Sequence, residues 1–229
     1  MHLTSWENAS RFKSVYCSSA PESIAEIGSQ IVEGQLSLRA LFDSVPRYVG
    51  FDFVPGSGVD RVLDDPYSFV AEECSFDCVI SSSCFEHAEF FWLSFLEMVK
   101  ICRIGGLVYL QAPSNGKYHR YPVDCWRFYP DSGIALQNWA RRNGHSITLL
   151  ESFTTNQKAD CWNDFVAVFC KGENEAFFPV KRIVDTFSDY CNATVHGRHD
   201  IIRPSEQTED MIRRSLAARV ALGDYPTAG

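Results

Sequence analysis

The side chains best equipped for chemistry crowd into residues 117–130, KYHRYPVDCWRFYP, and into the Glu86–His87 pair upstream. Histidine titrates near neutral pH, so His119 is the first candidate for a base that takes a proton from a substrate hydroxyl. Asp124 can orient that imidazole or act in its place. Arg120 and Arg127 carry planar guanidinium forks suited to a carboxylate or phosphate, although Asp124 and Asp131 could pair with them instead. Tyr118, Tyr121, Trp126 and Phe128 offer rings that pack against a sugar or an aromatic group, and Phe128 reads more readily as a core anchor. His87 either caps the helix that follows it or helps shape a pocket. The loop has neither the period of a helix nor that of a strand, so neighbouring elements must hold it in place.

Those elements are legible. Apolar runs at 23–28, 47–53, 59–65, 75–83 and 106–113 read as strands, bounded by Gly, Pro or Asp turn chemistry. Helical spacing recurs at 34–45, 86–103 and 131–144, and a short helix is expected around 6–16. Two further strands, 146–153 and 163–171, follow in succession. Strands alternating with helices predict a mostly parallel α/β sheet covered on both faces, and two strands in a row at the end predict one reversed strand. The expected organisation is a lead-in over 1–20, one domain over 21–171 and an extension over 172–229. Within the extension, 204–222 reads as an amphipathic helix. It is open to packing on its own domain, the first expectation, to pairing two copies as a homodimer, or to covering the site.

Composition narrows the function. With 229 residues the chain can bury one sizeable core, and its formal net charge of -8 disfavours nucleic acid and anionic membrane surfaces. A local Arg or Lys can still hold a small anionic substrate. The nine cysteines are scattered, with no CxxC pair and no zinc-type Cys/His spacing, which fits a reducing, cytoplasmic setting. No carboxylate cluster is visible either, so no metal is expected. Apolar runs fall short of the roughly 20 residues a membrane span needs, and the N-terminus is too polar for a signal peptide.

In an open parallel sheet, ligands lie outside the carboxyl ends of the strands. Gly28 closes the first strand with a turn that lets a ligand approach the backbone. Asp52 closes the second, where a carboxylate can accept hydrogen bonds from a ribose diol or cap its own turn. Asp64 and Asp65 follow the third, placed to meet a base or to cap a helix before Pro66. The fourth runs into SSSCFEH, residues 81–87. A nicotinamide-dependent reductase is the rival nucleotide reading, but GSQIVEG does not supply the GxGxxG spacing that sets a helix N-terminus on a pyrophosphate.

The ordered set EIGSQ, YVGFDF, VDRVLDD, FDCVISSSCFEH and RIGGLVYLQAP resembles the class I S-adenosylmethionine-dependent methyltransferases. It looks closest to the small methyltransferase-domain (type 11-like) proteins whose fifth strand leads into HRYPxDxWRFxPD. The resemblance covers about residues 22–170 and implies a Rossmann-like sheet of seven strands, the last reversed, plus the C-terminal helical extension. It implies that S-adenosyl-L-methionine is the cofactor. Glu26, Gly28, Ser29 and Gln30 would line its methionine side, and Asp52 would hold the ribose. Asp64 and Asp65 would flank the adenine, and Ser82 and Ser83 would floor the site. Common members carry a second Gly where this chain has Gln30. The acceptor would be a small molecule, often a saccharide in sequences of this look, bound by His87, Arg120, Tyr121, Trp126 and Arg127. His119 and Asp124 would be the catalytic pair. O-methylation is the leading expectation, with N-methylation of an amine, or an inactive scaffold on the same fold, as alternatives.

Overall fold

The computed structural model describes residues 2–32, 34–69, 74–156 and 162–223. Its centre is a set of short strands too apolar to face water on either side. β1 (Ser23–Ile27) is buried throughout, and it is flanked by β2 (Arg47–Asp52) and β4 (Phe76–Ser82), both parallel to it. Strand β3 (Arg61–Val62) extends the sheet beyond β2, and β5 (Cys102–Pro113) extends it beyond β4. The last expected pair is present as β6 (Ile147–Thr155) and β7 (Asp164–Lys171), with β7 inserted antiparallel between β5 and β6.

The full order is β3-β2-β1-β4-β5-β7-β6-β8, one strand more than the expected seven. The addition, β8 (Tyr190–Val195), pairs antiparallel with β6 and comes from the segment expected to be an extension. A buried carboxylate makes this attachment specific. Glu151 on β6 accepts hydrogen bonds from Tyr16 Oη (2.6 Å), Ile183 N (2.7 Å) and Val184 N (3.1 Å). One side chain thus ties the N-terminal helix and the segment before β8 to the same strand.

Alternating side chains send each strand into two cores. On β5, Val108 and Leu110 join Phe95, Met98 and Val99 of α3 (Phe91–Ile101) and Leu136 of α4 (Asp131–Arg142). Leu107 and Tyr109 point the other way, to Phe12 of α1 (Leu3–Tyr16) and to Leu38 and Phe42 at α2 (Leu38–Leu41). Helices therefore cover both faces, as expected. The helix predicted over 34–45 shrinks to the four residues of α2. The helix predicted from Glu86 begins only at Phe91, because Phe85–His87 forms a separate 3-10 turn.

The C-terminal helix α5 (Glu209–Ala221) forms, with Thr208 Oγ1 accepting from Met211 N (3.4 Å) as its cap. It does not pack on its own domain: every described side chain from Met211 to Gly223 is exposed. Among the described residues, no helix is long and apolar enough to cross a membrane.

Candidate functional site

Strand order reverses at β1, whose neighbours β2 and β4 lead the chain in opposite directions, and a crevice opens above that point. Here it is a cavity of about 830 Å3 lined by the ends of β1, β2 and β4 and by residues 119–123 of the aromatic loop.

At one end the turn after β1 is held tightly. Gly28 has φ of +80°, and a Cβ there would sit 2.5 Å from Cys84 Cβ, so only glycine fits between the two strand ends. Gly28 N and Ser29 N both donate to Phe51 O (2.9 and 3.1 Å), locking this turn to β2. Asp52 accepts from Gln30 N (3.0 Å), Phe53 N (2.8 Å) and Val54 N (3.3 Å), which aims its carboxylate at the cavity with lone pairs to spare. Gln30, the departure from the common loop, accepts a hydrogen bond from Tyr121 Oη at 2.9 Å. That contact joins the turn after β1 to the aromatic loop across the mouth of the cavity. Ser29 Oγ is buried and has no hydrogen-bond partner among the described residues.

Glu26 is buried, and burial raises its carboxyl to about 8 despite the hydrogen bond from Tyr48 Oη at 2.7 Å. Ser82 and Ser83 line the floor, where Ser83 N donates to Gln111 O (3.1 Å). Asp64 and Asp65 are not part of the cavity wall. Asp65 Oδ1 instead accepts from Tyr67 N (2.8 Å), and Leu63, Pro66 and Tyr67 form the wall in their place. A carboxylate that caps its own turn in water loses nothing, whereas an apolar cavity wall favours Leu and Tyr.

At the other end stand Glu86, His87, His119, Arg120, Tyr121 and Trp162. The β5 exit positions the aromatic loop: Phe128 N donates to Pro113 O (3.0 Å), and Cys125 N to Glu86 O (2.7 Å). Phe128 is an anchor as expected, only 2% exposed and edge-on to Phe91 at 4.9 Å. Trp126 and Arg127 do not reach the cavity. Trp126 Nε1 donates to Ala88 O (3.0 Å), and the ring packs edge-on to Phe91 at 5.3 Å. Arg127 grips Asp124 with two hydrogen bonds (2.6 and 2.9 Å) and adds one to Lys117 O (2.9 Å). The reason is local: a fork and a carboxylate three residues apart satisfy each other before any ligand arrives.

Asp124 is correspondingly fixed. Burial opposes its ionisation, but the hydrogen bonds from Arg127 and from His119 N (2.7 Å) outweigh burial and hold the carboxyl at about 2. A carboxylate so acidic is a poor base, so Asp124 serves to hold Arg127 and orient His119. His119 Nδ1 lies 3.2 Å from Lys117 O and 3.4 Å from Asp124 Oδ2. His87 Nδ1 meets Val123 O, and burial lowers the pKa of this imidazole, so it is neutral near pH 7. The two histidine rings meet edge to face at 4.9 Å.

Glu86 went unassigned in the sequence, although its place beside His87 was a signal. It is 1% exposed, burial raises it to about 8, and its Oε2 has no hydrogen-bond partner among the described residues. His2 and Trp162, stacked at 5.5 Å, also line the cavity. They come from opposite ends of the domain, and nothing in the sequence marks them.

The sheet order, the reversed strand and the crevice over β1 and β4 define the class I methyltransferase fold. Solved structures agree at the level of fold. Burkholderia thailandensis 1,6-didemethyltoxoflavin-N1-methyltransferase, solved with bound 1,6-didemethyltoxoflavin and S-adenosylhomocysteine, is 14% identical with a TM-score of 0.57, over 74% of this chain and 79% of that one. The N-methyltransferase NodS from Bradyrhizobium japonicum WM9, with S-adenosylhomocysteine, is 14% identical with a TM-score of 0.52, over 73% and 87%. The [4+2]-cyclase SpnF is 9% identical with a TM-score of 0.52, over 72% and 81%. The chain matches no protein-family model, and no curated protein matches it.

Proposed function

We propose that this protein is an S-adenosyl-L-methionine-dependent methyltransferase that O-methylates a sugar or similar polar small molecule in the cytoplasm. One observation carries the reading. A single cavity joins a carboxylate end (Glu26, Asp52) to an imidazole end (His87, His119), with the Gln30–Tyr121 contact between them. The carboxylate end suits a cationic amino acid and a ribose diol, and the cofactor's lack of phosphate explains why no pyrophosphate loop is needed. Two solved structures of the same fold contain S-adenosylhomocysteine, which supports this choice.

The reaction is an in-line displacement. Bound in the cavity, S-adenosyl-L-methionine would supply an activated methyl group, and the acceptor oxygen would displace a neutral sulfide from it. The chain's task is alignment and exclusion of water. The acceptor's proton leaves at the imidazole end, where His119 lines the cavity and Asp124 and Lys117 O orient its ring. Arg120 and Tyr121 stand at the same wall to bind the acceptor.

Two of the solved relatives in fold are N-methyltransferases, which supports an amine acceptor as the second reading. SpnF, a cyclase, is the reason to test for activity at all. The test is heat stabilisation by S-adenosylhomocysteine, followed by a screen of sugars, nucleotide-sugars and amines with labelled donor. No stabilisation by the homocysteine product, or stabilisation by NAD in its place, would defeat the reading. His119→Ala should keep cofactor binding and lower turnover by about 100-fold or more, the usual worth of a positioned base.

A further inference from the structure

We infer that Glu86, His87 and His119 form a binding site for one divalent transition-metal ion of the zinc class, opening into the acceptor end of the cavity. One ligand-type atom from each of the three lies within 4.8 Å of the others. Around a tetrahedral zinc, ligand atoms stand about 3.3 Å apart, so side-chain movements of about 1.5 Å or less would close the set.

The hydrogen-bond pattern points to the same use. Val123 O can only accept, so the Nδ1 of His87 that meets it carries the hydrogen, and Nε2 is left with a bare lone pair. Lys117 O fixes His119 in the same way, with the Asp124 carboxylate beside the same nitrogen. Two imidazoles each anchored at Nδ1 by a carbonyl or carboxylate, with Nε2 left over, is the arrangement that metal-binding histidines adopt. The bare Nε2 of His87 faces Glu86 Oε1 at 3.7 Å, too far for a hydrogen bond. An ion entering that gap would displace the Glu86 proton and meet a bare imidazole nitrogen and a carboxylate oxygen. The other carboxylate oxygen, Oε2, is buried without a partner among the described residues. Glu86 is itself 1% exposed, so the site is built into the protein wall.

Two nitrogens and one oxygen select against magnesium and calcium, which prefer all-oxygen shells, and in favour of zinc, cobalt or nickel. Three protein ligands leave a fourth position for water or substrate, the pattern of a catalytic site rather than a structural one. A metal there would bind the acceptor hydroxyl, whose proton would pass to water as the oxygen lone pair takes up the methyl group. His119 would then act as a ligand, and turnover would be sensitive to chelation. This last step rests on the methyl-transfer reading; the ion site does not.

The experiment starts from full-length protein dialysed against EDTA and titrated with Zn2+ and Co2+. One equivalent of Co2+ should give visible d–d bands without the near-ultraviolet thiolate charge-transfer band that binding at a cysteine would add. His119→Asn and His87→Asn should each weaken binding by more than 100-fold, and Asp124→Asn, which strips the imidazole's anchor, by about 10–100-fold. Glu86→Gln should weaken it while keeping the side chain's shape. Circular dichroism checks that each variant folds, and His119→Asn, on a surface loop, is the safest of them. Unchanged affinity in His119→Asn, or a cobalt spectrum dominated by thiolate bands, would overturn the inference. Stabilisation by S-adenosylhomocysteine in a protein that binds no metal removes the ion site alone. Metal binding without such stabilisation removes the methyl-transfer reading alone.

Discussion

Replacing Glu26 by Gln tests the cofactor end through its pH dependence. Burial holds the Glu26 carboxyl at about 8, so it is mostly protonated at pH 7 when the cavity holds no ligand. Roughly one molecule in ten is then ionised, and ionising the rest costs about 1.4 kcal/mol. A bound ammonium group beside Glu26 would favour the carboxylate. Affinity for S-adenosylhomocysteine should therefore rise roughly fifty-fold from pH 6 to pH 8, the range over which the empty-site carboxyl loses its proton. Further into alkali the ligand's own amine loses its charge and affinity falls again. Glu26→Gln keeps an oxygen for Tyr48 Oη but cannot ionise, so only the falling limb should remain. Calorimetric titrations from pH 6 to 9, in two buffers of different ionisation enthalpy, would also count the proton released at pH 7. Stability moves in the matching direction. A carboxyl raised from 4.5 to about 8 favours the folded state below pH 4.5 and loses that contribution as pH rises through 8. The ligand-free Gln variant should accordingly be at least as stable as the parent at pH 9. Parallel pH profiles for the two proteins would refute the reasoning.

Three other perturbations probe the scaffold. Gly28→Ala forces a side chain into φ of +80° and onto Cys84, for a loss of about 2–5 kcal/mol in urea unfolding; adding Cys84→Gly should restore the part due to the clash but not the backbone part. Glu151→Ala leaves Tyr16 Oη, Ile183 N and Val184 N without their buried acceptor, and should lower stability by about 3 kcal/mol or more by the same assay. Ile212, Leu216 and Val220, 50%, 44% and 40% exposed, recur at one-turn spacing on α5; if they pair two copies, light scattering should show a dimer that a triple Ser variant dissociates.

Much of the fold and part of the candidate site were legible because they rest on local chemistry. Apolar runs of strand length, broken by Gly, Pro and Asp, mark β1, β2, β4, β6 and β7 within a residue or two, and they mark the end of β5, which starts four residues before its apolar run. Gly28 and Asp52 stand at strand ends, and strand ends are where a parallel sheet binds its ligands, so their place on the cavity wall followed from pattern alone. Phe128 was marked as an anchor by its chemistry.

What the sequence could not determine depends on side-chain direction and on partners far away in the chain. Asp64 and Asp65 stand next to the cavity in sequence, yet the turn faces them outward and presents Leu63 and Tyr67. Arg127 has the chemistry of a ligand clamp, but Asp124 claims it first. Strand β8 looked like part of a tail because its reason to join the sheet is a partner strand some forty residues earlier, fastened near a single buried glutamate. Glu86 and His87 are neighbours in sequence, but only the fold of the aromatic loop brings His119 to them and gathers the three into one cluster. Local propensity set the strands and their turns; burial and long-range hydrogen bonding decided which of their side chains face the cavity.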